Sequence, residues 1–137
     1  MAGFCILTNN PTVVDEYAVA ARQVQGGVGE VFAAVRDAVH LGAALISHPL
    51  AGSLKPNENP YRSVVLSTAR GPVDPVSLAH IEAAAATLHK LPVKARRYGP
   101  QVLRDFQIID LDLVHSAMQA LPAVYHQHQN DLEEETQ

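Results

Sequence analysis

The chain has 137 residues, 47% hydrophobic and 18% charged, with a formal net charge of −4. A chain of this length buries roughly two-thirds of its unfolded surface, so one domain over 1–137 needs no metal or disulfide staple. The single cysteine, Cys5, rules out an internal disulfide and fits a reducing compartment. No stretch approaches the ~20 apolar residues of a membrane span, and a body with no basic face is not that of a general nucleic-acid binder. The opening MAGFCILTNN has no basic region ahead of a long apolar segment. A cytoplasmic protein is expected, free of membrane and nucleic acid.

Gly3 to Thr8 is a short apolar run with the pattern of a buried strand. Asn9-Asn10-Pro11 follows, a helix start with asparagine as the cap and proline at the first helical position, where its missing N–H costs nothing. The first helix is expected from Pro11 to about Ala21. Val24, between glutamines, reads as a short edge strand, and Gly26, Gly27 and Gly29 as a turn. Val28, Phe32, Val35 and Val39 then recur at helical spacing, with Gly42 as the stop.

Ala43 to Ser47 and Ser63 to Thr68 read as two further buried strands. Asp74-Pro75 opens a helix to Leu91, with Leu78, Ile81, Ala85 and Leu88 on one face. The 92–100 connector is basic. Residues 101–121 read as a helix broken near Asp105 to Gln107, with Ile108 and Ile109 as an alternative short strand. Pro122 ends it, and a last helix runs from Val124 into an acidic tail that frays over about 129–137. Alternating strands and helices predict an α/β fold: a three-layer, Rossmann-like sheet of about four mostly parallel strands, with flanking helices and a helical C-terminal part.

The stretch His48 to Ser63 (HPLAGSLKPNENPYRS) departs most from an ordinary connection, whose median is near ~4–6 residues. It is polar and carries three of the nine prolines. It joins two strands without a crossover helix, so a long hairpin is an alternative to parallel pairing. In an open α/β sheet ligands bind at the carboxyl ends of the strands. Thr8-Asn9-Asn10, Gly26 to Gly29 and the segment from His48 all reach that edge, where helix N-termini favour an anion. The expected ligand-binding set is Asn9, Asn10, Gly52, Ser53, Lys55, Asn57, Tyr61 and Arg62. His48 is the candidate acid–base, its alternative role being to hold the loop backbone.

Other signals carry less. Gly52 to Lys55 lacks the phosphate-loop pattern, and Gly27-Val28-Gly29 is followed by Phe32 where a dinucleotide fingerprint wants glycine or alanine. The seven histidines include no i, i+4 pair and join no cysteine cluster, so no metal site is expected. Cys5 reads as packing, and Arg36 as a brace to a neighbouring element or an interface. Asp110 and Asp112 either face a cleft or serve as helix-start carboxylates. No feature identifies a cofactor.

Thr8-Asn9-Asn10-Pro11, Val35-Arg36-Asp37 with His40 and Gly42, His48-Pro49-Leu50 with Gly52-Ser53, Lys55-Pro56-Asn57-Glu58, and Pro60-Tyr61 with Ser63-Val64 together resemble the GrdX family over about the first ninety residues. These small proteins occur with the glycine reductase system of amino-acid-fermenting anaerobes. The resemblance implies an association with selenium-dependent glycine, sarcosine or betaine reduction, and glycine reductase components as partners. It implies no activity and supplies no catalytic residues. Three functions stay open: an accessory module binding a small anionic ligand or a partner's acidic group through 48–63; a small enzyme with His48 as acid–base and Lys55 and Arg62 as anion clamp; and a structural homodimer using the loop as interface.

Overall fold

The computed structural model describes residues 2–51, 58–91 and 97–135. In chain order the elements are β1 (Phe4–Thr8), α1 (Pro11–Glu16), β2 (Ala21–Gln23), α2 (Val28–His40), β3 (Ser63–Ser67), α3 (Pro75–Lys90), α4 (Pro100–Gln119), a short 3₁₀ turn (Ala123–Tyr125) and α5 (His126–Glu135). Among the described residues no helix is long and apolar enough to cross a membrane.

The sheet has three strands in the order β2-β1-β3. β1 runs parallel to β2, with Ile6 opposite Ala21, and antiparallel to β3, with Ile6 opposite Val65. This corrects the expected Rossmann-like sheet of about four mostly parallel strands: the sheet is smaller, mixed, and outweighed by helices. One cause is topological. α2 carries the chain from β2 to 43–47, and a further parallel return would need another crossover, usually helical; among the described residues no helix lies between 43–47 and β3, which is antiparallel to both that segment and β1.

The other cause lies in the serines around Ala43 to Ser47, the segment expected as a strand. Only one bridge forms there, Leu45 with Leu66, antiparallel. The backbone N–H of Ala44 donates to the Ser67 hydroxyl at 2.8 Å and that of Leu45 to the Ser77 hydroxyl at 2.9 Å. The N–H of Val65 donates to Ser47 Oγ at 2.8 Å. Side-chain oxygens thus take donors that a regular ladder would give to carbonyls. The N–H groups of Ile46 and Ser47 both converge on the Val65 carbonyl, at 2.8 and 3.0 Å.

Two apolar clusters sandwich the sheet. On one face α2 and α3 pack Val31, Phe32, Val35, Val39 and Ile81 against Cys5, Val64 and Leu66. On the other, Val13 of α1 and Val114 and Met118 of α4 cover Phe4, Ile6 and Val65. The strand pattern accounts for the split, since alternate residues of β1 point to opposite faces. Both proline-led starts form as read: Asn10 caps α1 and Asp74 caps α3. α1 stops at Glu16, short of the expected Ala21, because residues 20–24 pair with β1: Ile6 N–H donates to Ala20 O and Val24 N–H to Thr8 O. α4 is unbroken through 105–107, and Ile108 and Ile109 lie in it as exposed helical residues.

Candidate functional site

The three segments expected to meet at the end of β1 do meet, and Asn9 joins them. Its Nδ2 donates to the carbonyls of Gly26 at 3.0 Å and Pro60 at 2.9 Å, while its Oδ1 accepts from the Arg62 N–H at 2.8 Å. Every polar atom of the amide is used within the chain. Asn10, fully buried, is equally committed. Its Oδ1 accepts from Thr12 N–H, and its Nδ2 donates to Gln107 O and to Asp110 Oδ2, both at 3.0 Å. The two asparagines therefore tie the converging segments together and hand few donors to a ligand.

Asp110 is the centre that the sequence left between two explanations. It sits in the middle of α4, buried among polar partners. Ser63 Oγ donates to Asp110 Oδ2 at 2.7 Å and shares a 2.7 Å hydrogen bond with Thr8 Oγ1. Thr8 and Ser63 are opposite one another in the β1–β3 register and face α4. Burial pushes the Asp110 carboxyl above its ordinary range, and the hydrogen bonds from Ser63 and Asn10, with the Arg62 charge, partly offset it. Arg62 is also buried, and burial lowers its pKa against the favourable pull of Asp110.

Arg62, Ser63 and Asp110 line one small cavity of about 30 Å³ with Ser47, His48, Pro49 and the α4 residues Leu113, Val114 and Ala117. This is room for a water, a small ion, or one charged end of a ligand whose remainder stays outside. His48 stands at its exposed edge. Its Nδ1 accepts from the Leu50 N–H at 3.0 Å, fixing the turn that starts the long segment, and its ring lies 5.2 Å from that of His80 on α3. With Nδ1 used as acceptor, the neutral ring carries its proton on Nε2.

The far end of the segment is held by α4 and the residues before it. Tyr98 donates its hydroxyl to Glu58 O at 3.1 Å, Asn59 Nδ2 reaches Phe106 O at 3.2 Å, and Gln107 Nε2 donates to the Tyr61 hydroxyl at 2.9 Å. The structure thus brings together His48, Asn9, Asn10, Tyr61 and Arg62. Gly52, Ser53, Lys55 and Asn57 lie outside the described residues. Sequence reasoning missed Gln107, Ser47 and the anchoring role of Tyr98. Their partners are 40 or more residues away for Tyr98 and Gln107, so no local pattern could have linked them. Among the described residues no group of three or more histidine, cysteine, aspartate or glutamate side chains is gathered to hold a metal.

A family model described as GrdX-like protein matches residues 5–119. The chain belongs to the GrdX family. The match extends well past the ninety residues that carried the resemblance and takes in α4. That fits the architecture, because α4 supplies Asp110 to the GrdX-type loop and packs on its end. No match was found among curated proteins or among solved structures.

Proposed function

We propose that this GrdX-family protein is a binding module for a small anionic ligand, or for an acidic group of a partner, taken at the cleft where Arg62, Ser63 and His48 meet. On the family resemblance that partner is a component of the glycine reductase system. The observation that carries the proposal is a buried guanidinium and a buried carboxylate, Arg62 and Asp110, lining one cavity at the end of β1. Burying charge is costly unless it is paired or used. The long segment starts at His48 and ends near Arg62, and both of these residues line the cavity. Ser53 and Lys55, with Gly52 and Asn57, are the proposed donors from that segment.

Asp110 gives the proposal a chemical signature. An anion at Arg62 has to compete with the Asp110 carboxylate, so its arrival favours a proton on Asp110, which burial already disposes to take one. Anion binding should therefore tighten as the pH falls. The test is a thermal-shift screen with inorganic phosphate, glycine and N-methylated glycines, since a bound ligand raises stability by mass action. The expected result is stabilisation that Lys55→Ala with Arg62→Ala abolishes; equal stabilisation of variant and wild type would contradict it.

A homodimeric role has one supporting observation: Val102, Ile108 and Ile109 stand exposed on α4 at 42%, 53% and 52%. Sedimentation of the wild type against Ile108→Glu/Ile109→Glu separates the two. The enzyme alternative is less well supported, because the His48 nitrogen available to take a proton is occupied by Leu50 N–H.

A further inference from the structure

On the opposite face of the sheet from Asp110 there is a second cleft of about 190 Å³. Its floor is Cys5 and Leu7 of β1 with Leu66 of β3, and Ala38 and Leu41 at the end of α2 form a wall. Arg22 of β2 and Arg70, just after β3, line it together with Ser67 and Thr68. Among the described residues no acidic side chain lines it.

The plainest explanation of two arginines beside a helix C-terminus is that they neutralise its open carbonyls. Here three of the last four carbonyls are already taken, as is that of Leu41. Asp37 O accepts from Leu41 N–H, Ala38 O from Leu41 and Ala43, Val39 O from Gly42, and Leu41 O from Gly71. Neither guanidinium makes a hydrogen bond or ion pair to a described residue, and both arginines are exposed. Arg22 is also close enough to Cys5 to counter, in part, the rise that burial imposes on the thiol.

We infer that this cleft is a second ligand site, in which Arg22 and Arg70 bind a compact dianion whose short carbon body rests on Leu7, Leu66 and Ala38. Guanidinium forks match carboxylate and phosphate oxygens, so the class covers small dicarboxylates and phosphate monoesters. The volume is below that of ordinary drug-sized pockets of ~300 Å³ and more, which suits a compact ligand. The site is independent of Arg62 and stands or falls apart from it.

The experiment titrates the full chain with succinate, glycerol 3-phosphate and inorganic phosphate at constant ionic strength, by calorimetry and by the rate of Cys5 alkylation. Cys5 is the only thiol and lies on the floor of this cleft, but it is buried, so its alkylation also reads opening of the fold and protection is judged against the double arginine variant at the same ligand concentration. Succinate or glycerol 3-phosphate should bind saturably and slow alkylation, and the preferred one identifies the source of the dianion. Arg22→Gln/Arg70→Gln should weaken binding about tenfold or more, with an unchanged melting temperature in buffer, because both side chains are exposed. Arg62→Lys should leave Cys5 protection intact. No saturable protection in the wild type, or equal protection in the double variant, would overturn the site.

Discussion

At the scale of residues, the site turns on a small set of side chains that use up one another's hydrogen bonds. Asn10 caps α1 and donates to Asp110, so Asn10→Ala should cost about 3 kcal/mol, the sum of a lost cap and a lost hydrogen bond to a buried carboxylate. Chemical denaturation measures it, and a loss below ~1 kcal/mol would mean that Asn10 is not the tie described. Asp110 has a folded pKa raised above its ordinary 3.8. The native chain then holds more proton than the unfolded chain between 3.8 and the folded value. Its contribution to stability is complete below that window and is lost as the pH climbs through it. Relative to wild type, Asp110→Asn should therefore gain stability as the pH rises across the window. Paired urea unfolding curves at successive pH values test this, and a constant difference between the two proteins would contradict it.

Several of these roles were legible from the chain alone. Asn-Asn-Pro announces a capped helix by its own chemistry, and the cap formed on Asn10. That Asn9 would bind Gly26, Pro60 and Arg62 at once was not legible, because an amide's partners depend on which loops meet, and sequence spacing does not record that. Asp110 was visible as an acid in an apolar stretch, yet its partners Asn10 and Ser63 are 100 and 47 residues away.

At the scale of elements, the positions where sequence and structure part are those where two local preferences compete. Ala43 to Ser47 has the apolar content of a strand, but serine hydroxyls from three places satisfy its backbone or its neighbour's, leaving a single bridge. Residues 17–21 have the alanine content of a helix, but pairing with β1 draws the chain into β2. The helices α2 and α3, whose apolar stripes are long and regular, formed nearly as read. The end of α2 depends on Gly42, which has φ of +113° and lies against the backbone of Arg70 and Gly71. A Cβ there would stand 2.3 Å from Gly71 N, so Gly42→Ala combines a strained backbone with a clash that no side chain can relieve. It should cost about 3 kcal/mol or more, measured by thermal or chemical unfolding; near-neutral behaviour would mean that the α2 end and the turn after β3 are not locked together.

In the whole molecule, a small mixed sheet is held between two helical layers, and its two faces carry different charged groups. On the α4 face a buried cation and a buried carboxylate share a small cavity. On the opposite face two arginines share an open cleft. The GrdX match covers both, since it spans 5–119. The sheet's parallel or antiparallel sense could not be read from strand patterns, because a buried strand has the same apolar run in either direction. The α4 side of the site was equally hidden, because that helix reads as ordinary packing until its partners are known.

The Arg62 cleft is proposed to take an anion in competition with Asp110. That competition is measured by calorimetric titration of the Arg22→Gln/Arg70→Gln protein, with and without Asp110→Asn, at several pH values, with sulfate as the anion because its charge does not change over the range. Binding should weaken as the pH rises when Asp110 is present, and should be tighter and nearly level with pH when asparagine replaces it. Identical titrations with and without Asp110, or none that saturates, would contradict it.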